Sequence, residues 1–246
     1  DHIYYGLSRS LMLRLYRHFF LNSGFFCPAC MRGIQVTVSR IQLYFNVPLA
    51  MRGTCRRTEE HISREFFIDG DLGFIESVLE GSSLYKEAES ILSPIGIFRG
   101  PYQIKLPDYI DWKYDEIFTT ITEELKWNAS SPDAEHSDCL ASDMVHWMRW
   151  KKFPGIIPER LRYSKLVTAG VMSKEDAKQK IAEELISVEE PENIDWFLDI
   201  MNISREDLER VLSNPMQHMK YFEKNRSRIK RRLLALKKRI YNFIAI

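Results

Sequence analysis

Short apolar segments flanked by helical patterns do most to limit what this chain can fold into. Residues 48–51 form one such segment, and residues 1–5 open the chain with a second strand-like segment. Between them, residues 7–22 and 27–45 repeat apolar side chains at the spacing of helices. Strands that are apolar rather than alternating are typical of parallel sheets, whose two faces are covered by helices. The order strand, helix, helix, strand therefore predicts an α/β fold built on a parallel sheet.

The rest of the chain is expected to be mainly helical. Residues 66–102 are predicted to be a helical stretch, 106–110 a turn and 114–127 an amphipathic helix, and only helices are expected from Asp143 onward. Glycines and short polar residues mark several helix ends. They are Gly24 and Gly170 at C-termini, and Ser173 with Asp176 and Ser204 with Asp207 at N-termini.

Charge is spread unevenly along the 246 residues. Lys and Arg number 35 against 34 Asp and Glu, for a net charge of +1. Ten of the basic residues and one acid lie from Lys220 onward, so the preceding part carries a net charge of −8. That part is not expected to bind nucleic acid non-specifically, whereas the basic tail is a candidate for doing so.

The composition of the chain and its lack of visible targeting segments indicate the cellular compartment in which it works. Apolar residues make up 45% of the chain, which is enough for a full core. Neither a membrane-spanning segment nor a signal peptide is visible in the sequence. We therefore expect a cytoplasmic protein in a reducing compartment, where paired cysteines bind metal or carry out redox chemistry more often than they form disulfides.

Cys27 and Cys30 form a Cys-x-x-Cys turn at the predicted start of a helix. Their sulfurs would lie on one side of the turn, close enough to chelate one ion, and a helix N-terminus favours the thiolate that metals require. The alternative is a pair of buried cysteines with no ligand.

Cys139 strengthens the metal interpretation, because it lies in a polar segment where a cysteine has no packing role. His136 lies three residues before it. Three cysteines with one open position suit a [4Fe–4S] cluster, whereas addition of His136 or Cys55 would complete a tetrahedral zinc site. The residues leave both metals open.

Arg52, Arg56 and Arg57 surround Gly53 at the predicted carboxyl end of a strand. Ligand-binding loops of parallel sheets lie at such ends, and guanidinium groups suit planar oxyanions. These four residues are predicted to bind a nucleotide or substrate, and a solvated basic loop explains the arginines equally well. Cys55, in the same loop, is left open as a metal ligand or a reactive thiol. No residue is assigned a catalytic role.

Residues 146–152 are interpreted as structural residues without a role in binding or catalysis. His146, Trp147 and Trp150 are expected to pack within a helix, and Lys151 and Lys152 to be surface charges.

Several short motifs occur in order along the chain. The first are Asp1-His2-Ile3, Phe26-Cys27-Pro28-Ala29-Cys30-Met31-Arg32-Gly33-Ile34, Val47-Pro48-Leu49 and Gly53. They resemble the adenine nucleotide alpha hydrolase-like superfamily, the N-type ATP pyrophosphatases. The later motifs are Leu106-Pro107-Asp108-Tyr109-Ile110, Glu124-Leu125-Lys126-Trp127, Lys152-Phe153, Tyr163-Ser164-Lys165-Leu166, Gly170-Val171-Met172-Ser173-Lys174-Glu175-Asp176-Ala177, Pro215 and His218. They are most similar to its N-acetyl sugar amidotransferase branch, which serves surface polysaccharide synthesis. The resemblance covers about residues 1–221.

The resemblance implies an incomplete doubly wound parallel sheet followed by a helical C-terminal region. Family members hold ATP on a Ser-Gly-Gly-x-Asp-Ser loop after the first strand. With Mg²⁺ they adenylylate a substrate oxygen, and a nitrogen or sulfur nucleophile then displaces AMP. That loop does not occur in the sequence. We expect that the chain is cut at its N-terminus and that the fragment alone is inactive.

Three domains are expected from these observations. They are a partial nucleotide alpha hydrolase-like domain at residues 1–140, a helical region at 141–219 and a basic amphipathic helix at 220–246. The last helix is predicted to contact a partner helix, an anionic membrane surface or RNA, or else to dock on the domain itself. Its apolar stripe consists of Ile229, Leu233, Leu236, Ile240 and Phe243.

The resemblance favours an ATP-dependent, AMP-forming amidotransferase that acts on an N-acetyl sugar nucleotide in lipopolysaccharide biosynthesis and receives ammonia from a glutaminase subunit. The sequence departs from that branch at Gly53-Thr54-Cys55, where a Gly-Glu-Asn signature is usual, and at Cys139, which replaces a serine. The thiols instead resemble the tRNA-thiolation members, whose three cysteines hold an iron–sulfur cluster. The alternatives are therefore an ATP-dependent sulfur transferase that acts on tRNA or a small molecule, and a zinc-stapled, non-catalytic binding module.

Overall fold

The computed structural model describes residues 2–53, 71–92, 102–110, 113–127, 139–154, 158–184 and 189–222. Helices dominate this part of the chain. They are α1 (Arg9–Ser23), α2 (Cys27–Tyr44), α3 (Leu72–Leu79), α4 (Leu84–Glu87), α5 (Glu89–Leu92), α6 (Tyr114–Leu125), α7 (Ser142–Lys152), α8 (Pro158–Thr168), α9 (Lys174–Glu184), α10 (Ile194–Met201) and α11 (Arg205–Leu212). The strands are β1 (Leu49–Arg52) and β2 (Tyr102–Lys105), and a 3₁₀ turn at Leu106–Asp108 follows β2.

The first two predicted helices are confirmed as α1 and α2. The side chain of Ser8 accepts a hydrogen bond from the Leu11 N–H and begins α1. Gly24 ends it with a φ of 77°, and its N–H donates to the Phe20 carbonyl. A left-handed residue at this position closes the open carbonyls of the last turn, and only glycine adopts it without a steric penalty.

The helical C-terminal region is also confirmed. From Ser142 to Leu212 the described residues form helices α7 to α11 without a strand. The hydroxyl groups of Ser173 and Ser204 each accept the N–H three residues later, at 3.0 Å in both cases. Both predicted N-terminal caps are therefore present, as is Gly170 with its left-handed φ of 71°.

The expectation of a buried strand at residues 1–5 was wrong over its described part. Residues 2–5 form no strand, and the side chain of Tyr4 is 90% exposed. A strand is stabilised by a neighbouring ladder, and within the described ranges no strand pairs with this segment. Two tyrosines and an isoleucine without such a partner remain in solvent.

The sheet expected around residues 48–51 is present as a parallel pair. Leu49 lies opposite Tyr102 and Arg52 lies opposite Lys105. Two differences from the expectation stand out. Tyr102 begins the strand β2 (Tyr102–Lys105), which was not predicted, instead of ending a helical stretch. The strand β1 has an alternating, partly exposed pattern instead of being buried. Among the described residues the sheet has these two strands, and a larger doubly wound sheet remains a prediction.

The chain divides into two compact units, which are described separately. The first unit consists of Asp1–Ile41, Ile68–Gly100 and Met201–Ile246. Its core is assembled from α1 and α3, with fully buried Leu15, Phe19 and Phe74. Apolar spacing on both helices presents these side chains on one face each, so their burial supplies the main stabilisation of this unit.

The second unit consists of Gln42–Phe67 and Pro101–Ile200 and contains the strand pair. A small apolar cluster of Tyr163, Leu166 and Ala177 joins α8 to α9. In the described part of the chain, no helix combines the length and apolar character needed to cross a bilayer. The predicted division into residues 1–140, 141–219 and 220–246 remains a prediction, and the tail beyond residue 222 lies outside the described residues.

Candidate functional site

The Cys27–Cys30 turn forms the first turn of α2. Neither thiol is in a disulfide and both are half-buried, whereas Pro28 and Ala29 between them are fully buried. Residues three apart on a helix present their side chains on the same face, with Cβ atoms about 5–6 Å apart. The structure thus places Cys27 and Cys30 in the first turn of a helix, as predicted. The binding of one ion by both sulfurs stays a prediction.

Packing around this turn fixes its position in the first unit. Phe25, just before the turn, contacts the fully buried ring of His218 edge-to-face at 5.0 Å between centroids. Phe26 contacts Tyr16 in the same way at 6.4 Å. Aromatic pairs of this geometry add to the stability gained from burial. The thiols therefore lie on a rigid support.

One turn further along α2, Arg32 is buried and its Nε donates to the Ile91 carbonyl at 2.9 Å. Burial lowers the pKa of the Arg32 guanidinium, and the carboxylates of Asp71 and Glu76 oppose that shift. A guanidinium keeps its charge despite burial. It therefore holds the end of α5 against α2 and brings a positive charge into the helix that carries the thiols.

Cys139 is exposed and belongs to the second unit. Its carbonyl accepts a hydrogen bond from the Ser142 N–H at 3.0 Å, which anchors the start of α7. Within the described ranges, no group of three or more His, Cys, Asp or Glu side chains is arranged to hold a metal ion. His136 lies outside those ranges, so the metal site of Cys27, Cys30, Cys139 and His136 remains a prediction.

The carboxyl end of the strand pair carries two cations. Arg52 ends β1 and Lys105 ends β2, and because they are in register both side chains leave the same face of the sheet. Both are half-buried. Like charges on directly paired positions repel, so this arrangement is stabilised when an anion lies between or beside them.

Gly53 follows Arg52. Among the described residues, a side chain built at Gly53 would meet no atom within 4 Å. Ligands of α/β sheets bind outside the carboxyl ends of the strands, and this end offers two cations beside a glycine. Arg56, Arg57 and Cys55 lie outside the described residues, so their predicted roles are untested.

Lys105 was missed at the level of sequence because the helical stretch was expected to end at Tyr102 and residues 103–105 were assigned to no element. The segment Tyr102-Gln103-Ile104-Lys105 alternates apolar and polar residues, which is the signal of a strand. That signal is short, four residues in length, and the prolines and glycines before it obscured the boundary.

Lys152 was expected to be a surface charge, and that expectation was wrong because its side chain is buried. Its side chain is 3% exposed, and burial lowers its pKa to about 7. Lys151 is exposed, and its ammonium lies 5.8 Å from the Trp147 ring and 5.6 Å from the Trp150 ring. Met144 and Met148, both buried, precede Lys152 at four-residue intervals on the same face of α7. That spacing was the available signal for burial.

Residues 163–165 include both buried and exposed side chains. Tyr163 is buried in the α8–α9 cluster, and Ser164 is exposed. Burial lowers the pKa of the half-buried Lys165 ammonium. Tyr163 therefore has a packing role, which the sequence left undecided.

Comparison with known proteins gives one match. Residues 135–237 are similar to the family described as LPS biosynthesis protein WbpG-like, C-terminal domain. The matched range includes Cys139, α7 with Lys152, and His218 of the first unit. Neither the curated proteins nor the solved structures contain a match to this chain.

Proposed function

We propose that this chain belongs to an ATP-dependent, AMP-forming amidotransferase that acts on an N-acetyl sugar in lipopolysaccharide biosynthesis. The observation that carries the proposal is the similarity of residues 135–237 to a domain of LPS biosynthesis proteins. Two sequence motifs outside the matched range, at residues 106–110 and 124–127, also resemble the sugar amidotransferase branch. The parallel pair β1–β2 would then be part of a larger doubly wound sheet.

The reaction replaces the carbonyl oxygen of an acetamido group by nitrogen. ATP with Mg²⁺ would supply an adenylyl group to that oxygen and release pyrophosphate, which makes the oxygen a good leaving group. Ammonia from a glutaminase partner would then attack the carbon, and the oxygen would depart in AMP. The two N–H protons that ammonia loses pass to solvent and to the departing group.

The residues of this chain fit only part of that chemistry. The sequence contains no Ser-Gly-Gly-x-Asp-Ser loop, so no residue described here is assigned to the ATP phosphates. Arg52 and Lys105 suit the negatively charged group of a sugar nucleotide at the carboxyl end of the strand pair beside Gly53. Their proposed role is substrate binding, since neither is placed near a reacting atom.

The test measures AMP, pyrophosphate and the sugar product of the complete gene product, supplied with ATP, Mg²⁺, ammonium and a nucleoside-diphosphate N-acetylhexosamine. We expect AMP and pyrophosphate in equal amounts and a sugar in which NH replaces one oxygen. Arg52→Gln and Lys105→Gln should each raise KM for the sugar roughly tenfold or more with little change in kcat, because a charged hydrogen bond is lost from binding. Arg160→Gln, an exposed arginine on α8, is the matched control. Absence of AMP formation with any N-acetyl sugar would exclude the proposed reaction.

A second candidate is a sulfur transferase, because two cysteines that form no disulfide share the first turn of α2. Anaerobic purification separates it from the first candidate. A brown protein with stoichiometric iron and sulfide favours sulfur transfer through a cluster, in which Cys139 would supply a third ligand. A colourless protein with stoichiometric zinc favours a structural metal site instead.

A further inference from the structure

The backbone of α2 places Cys27 and Cys30 at a distance that suits a disulfide. The two residues lie three apart in the first turn of this helix. With a rise of about 1.5 Å per residue and a Cα radius of about 2.3 Å, helix positions three apart have Cα atoms about 5 Å from each other. Cysteines joined by a disulfide have Cα atoms about 4.4–6.8 Å apart. A bond between these two sulfurs therefore requires no large movement of the backbone.

The directions of the two side chains also suit such a bond. The Cα–Cβ bonds of a helix tilt towards its N-terminus, and positions three apart lie on one face. Their Cβ atoms, about 5–6 Å apart in a regular helix, must approach to about 3.5–4.5 Å in a disulfide. The first N–H groups of a helix make no intrahelical hydrogen bonds. The start of α2 can therefore tighten without losing a hydrogen bond that its own N–H groups donate.

Packing around the turn lowers the entropic cost of closing the ring. Pro28 has a fixed φ and Ala29 has a short side chain, and both residues are fully buried. Phe25, just before the turn, lies against the His218 ring with 5.0 Å between centroids. The sulfurs therefore start from a narrow range of positions, and little conformational freedom is left to lose when they are joined.

The two thiols are also within reach of a small reagent. Cys27 and Cys30 are half-buried, and neither is in a disulfide in the structure. Cysteines that only fill space are usually among the most deeply buried residues of a protein. Here the two residues between the cysteines are the buried ones. The pair therefore fits thiol chemistry better than inert packing.

We propose that Cys27 and Cys30 form a dithiol site that closes reversibly to an intramolecular disulfide, with a low-molecular-weight disulfide such as oxidised glutathione as the oxidant. One protein sulfur attacks the oxidant, which gives a mixed disulfide and releases one glutathione thiol. The other protein sulfur attacks the protein side of the mixed disulfide and releases the second glutathione thiol. Two protein thiols are oxidised, one disulfide is reduced, and both protons pass to the released thiols.

Closure of this disulfide withdraws both sulfurs from metal binding and from sulfur transfer. The dithiol site would thus make any chemistry of the α2 turn depend on the redox state of the thiol pool. The proposal does not depend on the amidotransferase activity proposed above, because it rests on the helix position and the packing of the two cysteines.

The test counts the thiols that remain after incubation of the chain with an excess of oxidised glutathione. The protein is unfolded without reductant, alkylated, digested and analysed by mass spectrometry. Of the four cysteines, we expect Cys27 and Cys30 to escape alkylation and to occur in one peptide that has lost its two thiol hydrogens. Dithiothreitol should restore both thiols. Cys30→Ser should stop at a mixed disulfide between Cys27 and glutathione, because the second sulfur is missing.

Unfolding supplies the comparison that tests the role of the structure. At a fixed ratio of reduced to oxidised glutathione, the equilibrium constant for this disulfide should be at least about tenfold larger in the folded chain than in urea, because α2 holds the sulfurs together. Equal constants in the two states would mean that closeness in sequence alone forms the bond, and the inference would be overturned.

Cys139→Ser is the matched control, since Cys139 is exposed and belongs to the second unit. This variant should form the disulfide like the original chain. Uptake of alkylating agent by all four cysteines after oxidation overturns the proposal, as does a disulfide that joins Cys27 or Cys30 to any other cysteine. Stoichiometric zinc or iron that stays bound and protects both thiols from the oxidant assigns the pair to a metal and also excludes the dithiol site.

Discussion

The two compact units bury their large apolar side chains to different extents. In the first unit, Leu15, Phe19 and Phe74 are completely buried between helices. In the second unit, Met51 and Tyr102 are mostly exposed although they lie on paired strands. A helix buries its apolar stripe against one neighbour, whereas a parallel strand needs partners on two edges and two faces. The first unit therefore buries these large apolar side chains within itself. The described strands of the second unit leave Met51 and Tyr102 in solvent.

The difference extends to the candidate sites. The thiol turn of Cys27 and Cys30 lies on a helix whose surroundings are packed, with His218 and Arg32 buried beside it. Arg52 and Lys105 lie at the carboxyl end of the strand pair in the other unit. The first candidate site depends on packing between helices, and the second depends on strand register.

The tryptophans make the comparison measurable. All five belong to the second unit, at positions 112, 127, 147, 150 and 196. Tryptophan fluorescence therefore reports unfolding of the second unit, whereas far-UV circular dichroism reports the helices of both.

The largest effect is expected from Phe74→Ala. The Phe74 ring is fully buried and contacts Phe19 and Phe222 at centroid distances of 6.5 and 5.0 Å. Its removal leaves a cavity and should lower the free energy of unfolding of the first unit by about 3–5 kcal/mol. Chemical denaturation followed by circular dichroism measures this loss, and the fluorescence midpoint should move much less.

Tyr109→Ala provides the comparison, because Tyr109 is 76% exposed. That substitution should change stability by no more than about 0.5 kcal/mol. A Phe74→Ala loss below about 1 kcal/mol would mean that the first unit is loosely packed, and the contrast between the units would disappear.

The second effect concerns Lys152 and depends on pH. Burial lowers its pKa from 10.5 to about 7 in the folded protein. Between these values the unfolded chain binds more protons than the folded one, so stability must rise with pH across that window. The penalty is complete below pH 7 and is relieved towards pH 10.5. A shift of this size corresponds to a free energy on the order of 5 kcal/mol.

Lys152→Met tests that assignment in the second unit. The variant should be more stable than the original chain at pH 7 by a few kcal/mol and should lose the rise of stability above it, because a buried charge is replaced by an apolar side chain of similar length. Fluorescence-monitored urea titrations at several pH values measure both effects. Lys151→Met, at the adjacent exposed position, should keep the pH dependence. An original chain whose stability is flat between pH 7 and 10 would show that Lys152 is not buried in solution.

Local signals in the sequence were sufficient for most helices and insufficient for the sheet. Ser8, Gly24, Ser173 and Ser204 each act on backbone groups within four residues, so their roles can be predicted from neighbours alone. The pairing of β1 with β2 joins residues about fifty positions apart. Four-residue strands carry too few side chains for their periodicity to identify them.

The candidate sites show the same division. The Cys27–Cys30 turn is a local motif, and its position at the start of α2 could be predicted. The juxtaposition of Arg52 with Lys105 depends on strand register, and the burial of Lys152 depends on what packs against α7. Register and tertiary packing are not determined by the neighbouring residues, so only the structure could supply them.

The smallest effects are expected from the two helix caps, one in each unit. Ser204→Ala removes the acceptor for the Asp207 N–H at the start of α11, and Ser173→Ala removes the acceptor for the Asp176 N–H before α9. Each substitution should cost about 1 kcal/mol, since one backbone donor at a helix start loses its partner. Ser204→Ala should shift the transition seen by circular dichroism and leave the fluorescence transition in place, whereas Ser173→Ala should shift the fluorescence transition. Ser164→Ala, at an exposed position within α8, should shift neither. If Ser204→Ala moves the fluorescence transition as far as the circular dichroism transition, the two units unfold as one cooperative body, and their unequal burial does not translate into unequal stability.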